Sequence, residues 1–317
     1  MILVAGIADE GPPARVIDAL EGMGANYRVF DQRRAEDAEI VLEIGDEISG
    51  GAIGGALRIA SESLPLREIS AMYLRVMDDG LLPDVAALPL EAPRRQRCRR
   101  LHDLLLRFAD VACARVLNRP SDMSSNHSKP YQAHAIRAVD FGIPETLITN
   151  DPAVAREFIE LVWAESGRVI YKSLSGIRSI VRAVTVDDMA RLDHIRWCPT
   201  QFQRRVAGVD VRVHVIGRRT LAAAIASDAI DYRYAARDTG TPPTFECIEL
   251  DMETHNRCIR LTERLRLPFA GLDLRRAPDG RFVCFEVNPS PAFSFYEAHT
   301  GLPIAHAVAR YLTGETA

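Results

Sequence analysis

The chain has 317 residues, a formal net charge of −4 and 47% hydrophobic residues, values that are typical of a folded globular protein. This length allows two or three domains, and the small negative charge predicts no general attraction to nucleic acid. No apolar run approaches the ~20 residues of a membrane-spanning helix, and the six cysteines include no CxxC pair that would indicate a zinc site. The first residues lack the features of a signal peptide, so we expect a protein of the reducing cytoplasm.

The first 90 residues alternate strand and helix patterns, which predicts a small α/β unit with a parallel sheet. Pro12 and Pro13 begin a helix that ends at Gly24. Short apolar runs around it are interpreted as strands at 2–5, 27–31, 40–42 and 70–76. A glycine cluster from Gly50 to Gly55 has neither of the common phosphate-loop spacings, and we interpret it as a flexible turn.

Arginine is concentrated between Arg94 and Arg100, at the start of an apolar pattern with helical spacing. Such a run could bind an acidic peptide or a nucleic acid. The more common arrangement is a solvent-exposed face at one end of an amphipathic helix, and we favour that interpretation.

A polar connector from Asn118 to Pro130 indicates a domain boundary. The following segment is predicted to contain helices at 131–141 and 152–166 and a strand at 168–172. We therefore divide the chain into three parts, at residues 1–118, 119–198 and 199–317.

Lysine is rare in this chain, since only Lys129 and Lys172 are lysines among the 39 Lys and Arg residues. A lysine kept against such a bias suggests a position where a compact ammonium is needed and a planar guanidinium does not fit, such as a phosphate contact. Lys172 ends a predicted strand and precedes a Ser/Gly loop at 173–179, whose backbone N–H groups could also bind phosphate. The alternative is that chance left two lysines.

The segment from Val209 to Val215 alternates without interruption, so its valines are predicted to face the core and Asp210, Arg212 and His214 the other side. An arginine in the middle of a strand, on a polar face, is a candidate for binding an anion. The alternative is an ion pair between Arg212 and a neighbouring carboxylate such as Asp210.

Two alternating runs near the end of the chain flank a turn signal at Pro278-Asp279-Gly280 and predict a β-hairpin. Because side chains alternate along a strand, Glu286 and Asn288 share one face, and Asp273 joins them from the facing strand. Two carboxylates and an amide oxygen suit a hard cation such as Mg²⁺. The alternative is an ordinary half-exposed hairpin. The opposite face is predicted to be core and consists of Leu272, Leu274, Val283, Phe285 and Val287.

In this order, these segments resemble the ATP-grasp ligases and, among them, the RimK-like branch. The similar segments are 128–130 with 142–146, 171–176, 202–206, 210–217, 272–273 and 285–289. The resemblance covers residues 119–317, and the ending from Glu286 to Ile304 is most similar to the macrocyclases of microviridin-type peptides. It implies a mixed α/β and α+β fold, with an N-terminal α/β domain before a two-lobed ATP-grasp body of antiparallel sheets.

The resemblance also implies roles for individual residues. ATP would be bound by Lys129, Lys172, Ser173, Ser175, Gly176, Gln203, Arg204 and Val206. Mg²⁺ would be bound by Asp273, Glu286 and Asn288. Arg212 and Lys172 would act in catalysis, and the substrate contacts would be Arg233, His214 and Arg275. The family commonly carries an acidic residue at the position of Arg204.

The implied activity is ATP- and Mg²⁺-dependent ligation, in which a substrate carboxylate becomes an acyl-phosphate and an amine or hydroxyl then displaces phosphate. A peptide substrate is our first expectation, by similarity to the peptide macrocyclases. Addition of an amino acid to a small-molecule or peptide carboxylate is the second, and a non-catalytic nucleotide-binding partner subunit is the alternative from another class. The family favours dimers or tetramers, so we expect a homo-oligomer, with no nucleic-acid or membrane partner.

Overall fold

The structure is a computed structural model of the chain, and it describes residues 1–45, 53–174 and 181–315. The glycine cluster at 50–55 lies partly outside these ranges. None of the helices in the described ranges combines the length and the hydropathy that crossing a bilayer requires.

The N-terminal part contains two sheets. Its elements are β1 (Ile2–Gly6), α1 (Gly11–Gly22), β2 (Tyr27–Asp31), β3 (Ala38–Glu43), β4 (Gly54–Ile59), β5 (Glu62–Pro65), β6 (Ala71–Arg75), α2 (Pro83–Ala86), α3 (Pro93–Val111) and β7 (Arg115–Leu117). Strands β2, β1, β6 and β7 form the predicted parallel sheet in that order. Strands β3, β4 and β5 form a second, antiparallel sheet that the sequence analysis did not predict.

The central part is a small lobe built on one antiparallel sheet in the order β10-β9-β11-β8. The elements of this part are α4 (Pro120–Met123), α5 (Lys129–Arg137), β8 (Thr146–Thr149), α6 (Pro152–Ala164), β9 (Val169–Ser173), β10 (Arg182–Ala183), α7 (Val186–Met189) and β11 (Thr200–Arg204). Asp151 caps the N-terminus of helix α6, and its side chain accepts a hydrogen bond from the Ala153 backbone N–H.

The C-terminal part is built on a five-stranded antiparallel sheet in the order β14-β13-β12-β15-β16. Its elements are β12 (Val209–Ile216), β13 (Arg219–Ala226), α8 (Ala235–Asp238), β14 (Thr244–Ile248), α9 (Met252–Arg264), β15 (Phe269–Arg276), β16 (Phe282–Asn288), α10 (Ser294–Thr300) and α11 (Ile304–Thr313). The predicted turn between β15 and β16 is present, and Gly280 has the positive φ of +84° that favours glycine. The mixed α/β and α+β fold is therefore as predicted.

One hydrophobic core ties the N-terminal and C-terminal parts together, and the small lobe has a separate core. Side chains from α1, β1 and β6 pack in one cluster with side chains from α10, α11 and the five-stranded sheet. The small lobe has its own cluster between residues 147 and 202. Helix α5 instead joins the core beneath the five-stranded sheet, with α9. The predicted boundaries at 118/119 and 198/199 stay a prediction.

Strand β16 lies at the edge of its sheet, and buried amide side chains hold it in place. Gln132 on α5 donates to the Val287 carbonyl at 2.7 Å and accepts from the Val287 N–H at 3.2 Å. Asn118 donates to the Pro289 carbonyl at 2.6 Å and accepts from the Phe269 N–H at 3.0 Å. The backbone positions on β15 and β16 are thus held by more than the sheet ladder.

Strands β15 and β16 pair through a β-bulge, which corrects part of the predicted face assignment. Leu274 lies opposite Cys284, so Phe285 is an extra residue in β16. The alternation changes phase at the bulge. Cys284 is therefore fully buried, whereas Val283 and Phe285, which were predicted for the core face, are only partly buried.

The arginine run begins helix α3, and several of its side chains bind groups of the same chain. Arg95 and Arg99 both donate to Asp79, which is only 3% exposed. Arg97 donates to the carbonyls of Ala35 and Ala38. The predicted solvent-exposed face is therefore wrong for Arg95, whose side chain is 12% exposed.

Candidate active site

Three neighbouring strands place three charged side chains in one row across the five-stranded sheet. Arg212 on β12 lies opposite Asp273 on β15, and Asp273 lies opposite Glu286 on β16. In the adjacent row of the same face, Asn288 on β16 lies opposite Gly271 on β15. The structure therefore brings together the two carboxylates and the amide that the sequence analysis selected.

Each of the two carboxylates has a cation beside it. The Lys129 Nζ atom, at the start of α5, donates to Glu286 Oε2 at 2.6 Å. The Arg212 Nη1 atom donates to Asp273 Oδ1 at 2.5 Å. Burial alone would raise the pKa of Glu286, but the ammonium groups of Lys129 and Lys172 hold it below its usual value. Each of the two carboxylates therefore has a cationic partner in this structure.

Lys172 reaches the same site from the small lobe. It lies on β9, opposite Gln201 on β11. Burial lowers the pKa of Lys172, and the charges that act on it include those of Glu286, Lys129 and Asp273. The two lysines of the chain thus come from different elements and approach the same carboxylate.

The side chain of Arg212 is enclosed by its neighbours, and the residue is only 5% exposed. Its guanidinium carbon lies 5.4 Å from the centre of the Tyr296 ring. A Cβ atom at Gly271 would lie 2.1 Å from the Arg212 Nη2 atom, so only glycine leaves room for the side chain there. The Tyr296 hydroxyl is 2.5 Å from that of Tyr232, which fixes the ring from its far end.

Gly271, Tyr232 and Tyr296 were not selected by the sequence analysis. The aromatic run after the Asn288-Pro289 step was the available signal for Tyr296. Nothing in the sequence indicated that Tyr232, 64 positions away, would reach its hydroxyl.

Arg233 lies near Asp273, in the segment that follows β13. Its guanidinium donates to both carboxylate oxygens of Asp231, at 2.8 Å and 2.6 Å. These hydrogen bonds raise the pKa of Arg233, and Asp273 contributes to the same shift. Half of the Arg233 side chain is exposed, so the predicted substrate contact is sterically open.

The predicted ATP-binding residues Gln203 and Arg204 are engaged in contacts within the protein. Gln203 is buried and donates to Thr146 Oγ1 at 2.9 Å. Arg204 forms ion pairs with Glu145 at 2.8 Å and Glu165 at 2.6 Å, which raise its pKa. The Arg204 guanidinium therefore stabilises the surface of the small lobe. The position where the family commonly has an acidic residue is occupied here by a cation with its own acidic partners.

The other two predicted substrate contacts, His214 and Arg275, lie in more enclosed positions. His214 is fully buried, and burial together with Arg212 holds its pKa well below the usual value, so the ring is neutral. Arg275 donates to Asp210 Oδ1 at 2.8 Å and to the Val206 carbonyl at 2.8 Å. His214 is therefore a core residue, which corrects its assignment as a substrate contact. Arg275 connects β15 to the backbone at Val206, and its predicted substrate contact stays a prediction.

The phosphate loop predicted after Lys172 is described only in part. Ser173 ends β9 opposite Thr200. Ser175 and Gly176 lie outside the described residues, so their predicted role stays a prediction.

The donor set of the row fits Mg²⁺ better than a softer metal. Its oxygen atoms come from Asp273, Glu286 and Asn288, and hard cations prefer carboxylate and carbonyl oxygens. The Asn288 Oδ1 atom also accepts a hydrogen bond from the Ser290 N–H at 2.9 Å, which fixes the amide orientation. Within the described ranges, no three His, Cys, Asp or Glu side chains form a cluster that could hold a metal ion. A zinc-type site is therefore not seen in that part of the chain.

Comparison with known proteins defines the family. The RimK-like ATP-grasp domain matches residues 125–312, which is more than half of the chain. The chain belongs to the RimK-like ATP-grasp family, a family of ATP-dependent ligases that use Mg²⁺. This confirms the family and the fold that the sequence motifs indicated.

Solved structures and curated relatives agree with this assignment. The macrocyclase MdnC from Microcystis aeruginosa, bound to its precursor peptide MdnA, superposes with a TM-score of 0.80 over 99% of both chains, at 23% identity. The ATP-grasp ligase PsnB, complexed with a minimal precursor variant, Mg and ADP, gives a TM-score of 0.79 over 100% of this chain and 98% of that chain, at 26% identity. A probable alpha-L-glutamate ligase from Mannheimia succiniciproducens is 26% identical over 205 residues, which are 62% of this chain and 66% of that protein.

Proposed function

We propose that the protein is an ATP- and Mg²⁺-dependent ligase that activates a carboxylate of a peptide and joins it to an amine or hydroxyl. The observation that carries this proposal is the row of Arg212, Asp273 and Glu286, which faces Lys129 and Lys172. A metal-binding carboxylate pair beside phosphate-binding cations is the arrangement that phosphoryl transfer requires.

Each side chain then has a definite task. Lys129 and Lys172 bind the phosphates of ATP, and Asp273, Glu286 and Asn288 hold Mg²⁺. When bound, the metal neutralises the charge that develops on the transferred phosphoryl group. Arg212 stabilises the anionic carboxylate and acyl-phosphate from its position beside Asp273. No covalent nucleophile of the protein is needed, because positioning and electrostatics supply the catalysis.

The reaction balances in two displacements. A substrate carboxylate oxygen attacks the γ-phosphorus of ATP, and ADP leaves. An amine nitrogen or hydroxyl oxygen then attacks the acyl carbon, loses its proton and releases inorganic phosphate, so that an amide or an ester forms.

A peptide substrate is supported by the neighbouring structures. MdnC is described as a macrocyclase bound to its precursor peptide, and PsnB was solved with a precursor. A ligase associated with a ribosomal peptide from Chryseobacterium gregarium, solved with ADP and with leader and core peptides, gives a TM-score of 0.81 at 20% identity. We propose that this chain also modifies a peptide, within a cytoplasmic homo-oligomer.

A second candidate function is the addition of an amino acid to a carboxylate. The curated relatives favour it, because several are named as probable alpha-L-glutamate ligases. Both candidates use the same activation step and differ only in whether the nucleophile belongs to the same molecule.

Mass spectrometry separates the two. The protein would be incubated with Mg-ATP and a desalted peptide fraction of its host cytoplasm, and peptide masses would be compared with and without ATP. A peptide that loses the mass of one or more waters indicates ring closure. A species that gains an amino-acid residue mass indicates intermolecular addition.

The Glu286→Gln variant is the control. It keeps the shape of the side chain but removes one carboxylate from the metal row, so we expect it to bind ATP and to produce neither mass change. A variant with normal turnover would contradict the metal assignment. Nucleotide binding by the native protein with no turnover of any substrate class would favour a non-catalytic partner subunit.

A further inference from the structure

A groove far from the metal row in sequence lies between strand β3 and helix α3. Its volume is about 510 Å³. The edge of β3 forms one wall, and the groove-facing stripe of α3 forms the other. Its lining includes Ile40, Gln96, Arg97, Arg100, Leu101 and Leu104.

The wall formed by β3 is an open strand edge in the part of the chain that the structure describes. The sheet order is β3-β4-β5, so β3 has a described partner on one side only. The Ala60 N–H donates to the Asp37 carbonyl at 2.7 Å, which places the odd-numbered backbone groups toward β4. The backbone groups of Ala38, Ile40 and Leu42 therefore point away from β4, and Ala38 and Ile40 line the groove.

One of these backbone groups, the Ala38 carbonyl, already accepts a hydrogen bond from the side chain of Arg97. Its guanidinium donates to the Ala38 carbonyl at 2.7 Å and so covers the first position of the edge. Among the described residues, no other side chain is bonded to this edge at Ile40 or Leu42. Two consecutive outward-facing positions are thus exposed to an incoming strand.

The side of the groove formed by α3 presents two leucines and one arginine. Leu101 and Leu104 are partly buried and lie along the groove. Within the described residues, the Arg100 guanidinium has Gln96 as its only hydrogen-bond partner, at 3.3 Å. A strand laid along β3 would therefore direct apolar or acidic side chains toward α3.

The outer face of β3 is acidic, with Glu39 paired to Arg58, and Glu39 and Val41 also border the groove. Glu39, Val41 and Glu43 are all exposed, and Val41 is 55% exposed. If two copies of β3 paired antiparallel about Val41, Glu39 of each would lie opposite Glu43 of the other, which is unfavourable. Charge complementarity thus disfavours a second copy and favours a peptide with basic or polar residues on its outward face.

We propose that this groove binds an extended peptide segment by strand addition to β3, with apolar and acidic side chains toward α3 and basic or polar side chains toward solvent. This mode of recognition uses backbone hydrogen bonds for affinity and alternate side chains for specificity. The proposal does not rest on the proposed ligase activity, because the groove contains none of the residues assigned to the reaction.

The test uses a fluorescein-labelled octapeptide, Lys-Val-Thr-Glu-Lys-Leu-Thr-Val, and fluorescence anisotropy with the full-length protein. Two further probes carry N-methyl groups on alternate amides, one on the even-numbered and one on the odd-numbered peptide residues. Strand addition predicts that one methylated probe loses binding at least tenfold and that the other binds within about twofold, because only alternate N–H groups face β3.

Protein variants locate the site. Arg100→Glu should weaken binding of the octapeptide at least tenfold, whereas Arg264→Glu, an exposed charge reversal on α9, should leave it unchanged. The Glu286→Gln variant should bind the octapeptide as the native protein does, which separates this proposal from the catalytic one.

Three results would overturn the proposal. Equal effects of the two methylated probes would exclude strand addition, and unchanged binding by Arg100→Glu would place the peptide elsewhere. Absence of octapeptide binding, together with a Val41→Cys variant that forms disulfide-linked dimers at micromolar concentration, would show that a second copy occupies the groove.

Discussion

Lys172 and Lys129 act on the same carboxylate, Glu286, although they lie on different elements and 43 positions apart in the chain. Both ammonium groups act on that one carboxylate, and Lys129 contacts it directly. The two lysines of this arginine-rich chain therefore lie near the same carboxylate. A compact cation can move between a carboxylate and a phosphate with little rearrangement, which a planar guanidinium cannot do as readily.

We predict that Lys172→Ala weakens ATP binding by at least about tenfold, equivalent to about 1.4 kcal/mol. The physical reason is the loss of a partly buried phosphate contact, which burial strengthens. Isothermal titration calorimetry with Mg-ATP would measure the change. Lys172→Arg keeps the positive charge but replaces the ammonium by a planar guanidinium. Native ATP affinity in that variant would show that this position does not require a lysine.

Gly271 gives a second prediction at this scale. Gly271→Ala would place a methyl group 2.1 Å from the Arg212 Nη2 atom and force the guanidinium away from Asp273. We expect kcat to fall about tenfold or more while the KM for ATP changes little, because Arg212 acts on the developing anion. Gly22→Ala, at a position with nothing within 4 Å of the new Cβ, is the matched control.

Among the secondary-structure elements, helix α3 has two arginines bound to one carboxylate of the N-terminal domain. Asp79 accepts from Arg95 at 2.5 Å and from Arg99 at 2.8 Å. The hydrogen bonds from Arg99 and Arg95 lower the pKa of Asp79 from 3.8 to about 2. Since the folded-state pKa is depressed, this contact stabilises the protein above about pH 4, and the stabilisation is lost as the pH falls toward 2.

An Asp79→Asn variant tests this sign. The difference in free energy of unfolding between the native protein and the variant should be constant from pH 7 to pH 5 and should shrink between pH 4 and pH 2. Urea titrations at several pH values would measure it. A difference that grows on acidification would show that the arginines do not hold Asp79 in its charged form.

The elements also show how far the sequence could predict the site. Asp273, Glu286 and Asn288 were found because strand alternation is local and the turn before them is strongly marked. The bulge at Phe285 was not predictable, since it depends on pairing between strands and leaves no signature in the alternation of β16 alone. Strands β4, β5 and β14 were missed because strand formation in these segments depends on pairing with a partner strand.

Residues that act across the chain were the least predictable. Tyr232 and Tyr296 are 64 positions apart and meet only through the packing of α10 against the five-stranded sheet. His214 has the alternation of an exposed polar residue, yet Tyr296 covers it at a ring distance of 5.2 Å. A strand pattern indicates which residues share a face, and the tertiary packing decides whether that face meets solvent.

At the scale of the whole molecule, the N-terminal domain and the C-terminal part share one core, and the small lobe has another. Leu312 on α11 is fully buried in the shared core, and Ile159 on α6 is fully buried in the core of the small lobe. Substitutions at Leu312 and Ile159 therefore test the stability of two different cores of the same chain.

We predict that Leu312→Ala lowers the free energy of unfolding by about 2–5 kcal/mol and raises hydrogen exchange in both the N-terminal and C-terminal parts. Ile159→Ala should cost a similar amount but raise exchange mainly between residues 146 and 204. Hydrogen–deuterium exchange with mass spectrometry would measure both. Exchange confined to α11 in the Leu312→Ala variant would contradict a shared core.

The ion pair between Lys129 and Glu286 makes the two ligands of the proposed site thermodynamically dependent on each other. A divalent ion on Glu286 competes with the ammonium of Lys129, and a phosphate is the natural new partner for the displaced lysine. Each ligand therefore removes an unfavourable term for the other, and by reciprocity their affinities rise by the same factor. The protein would bind Mg²⁺ poorly by itself and well as Mg-ATP, so that the metal concentration of the cell alone does not load the site.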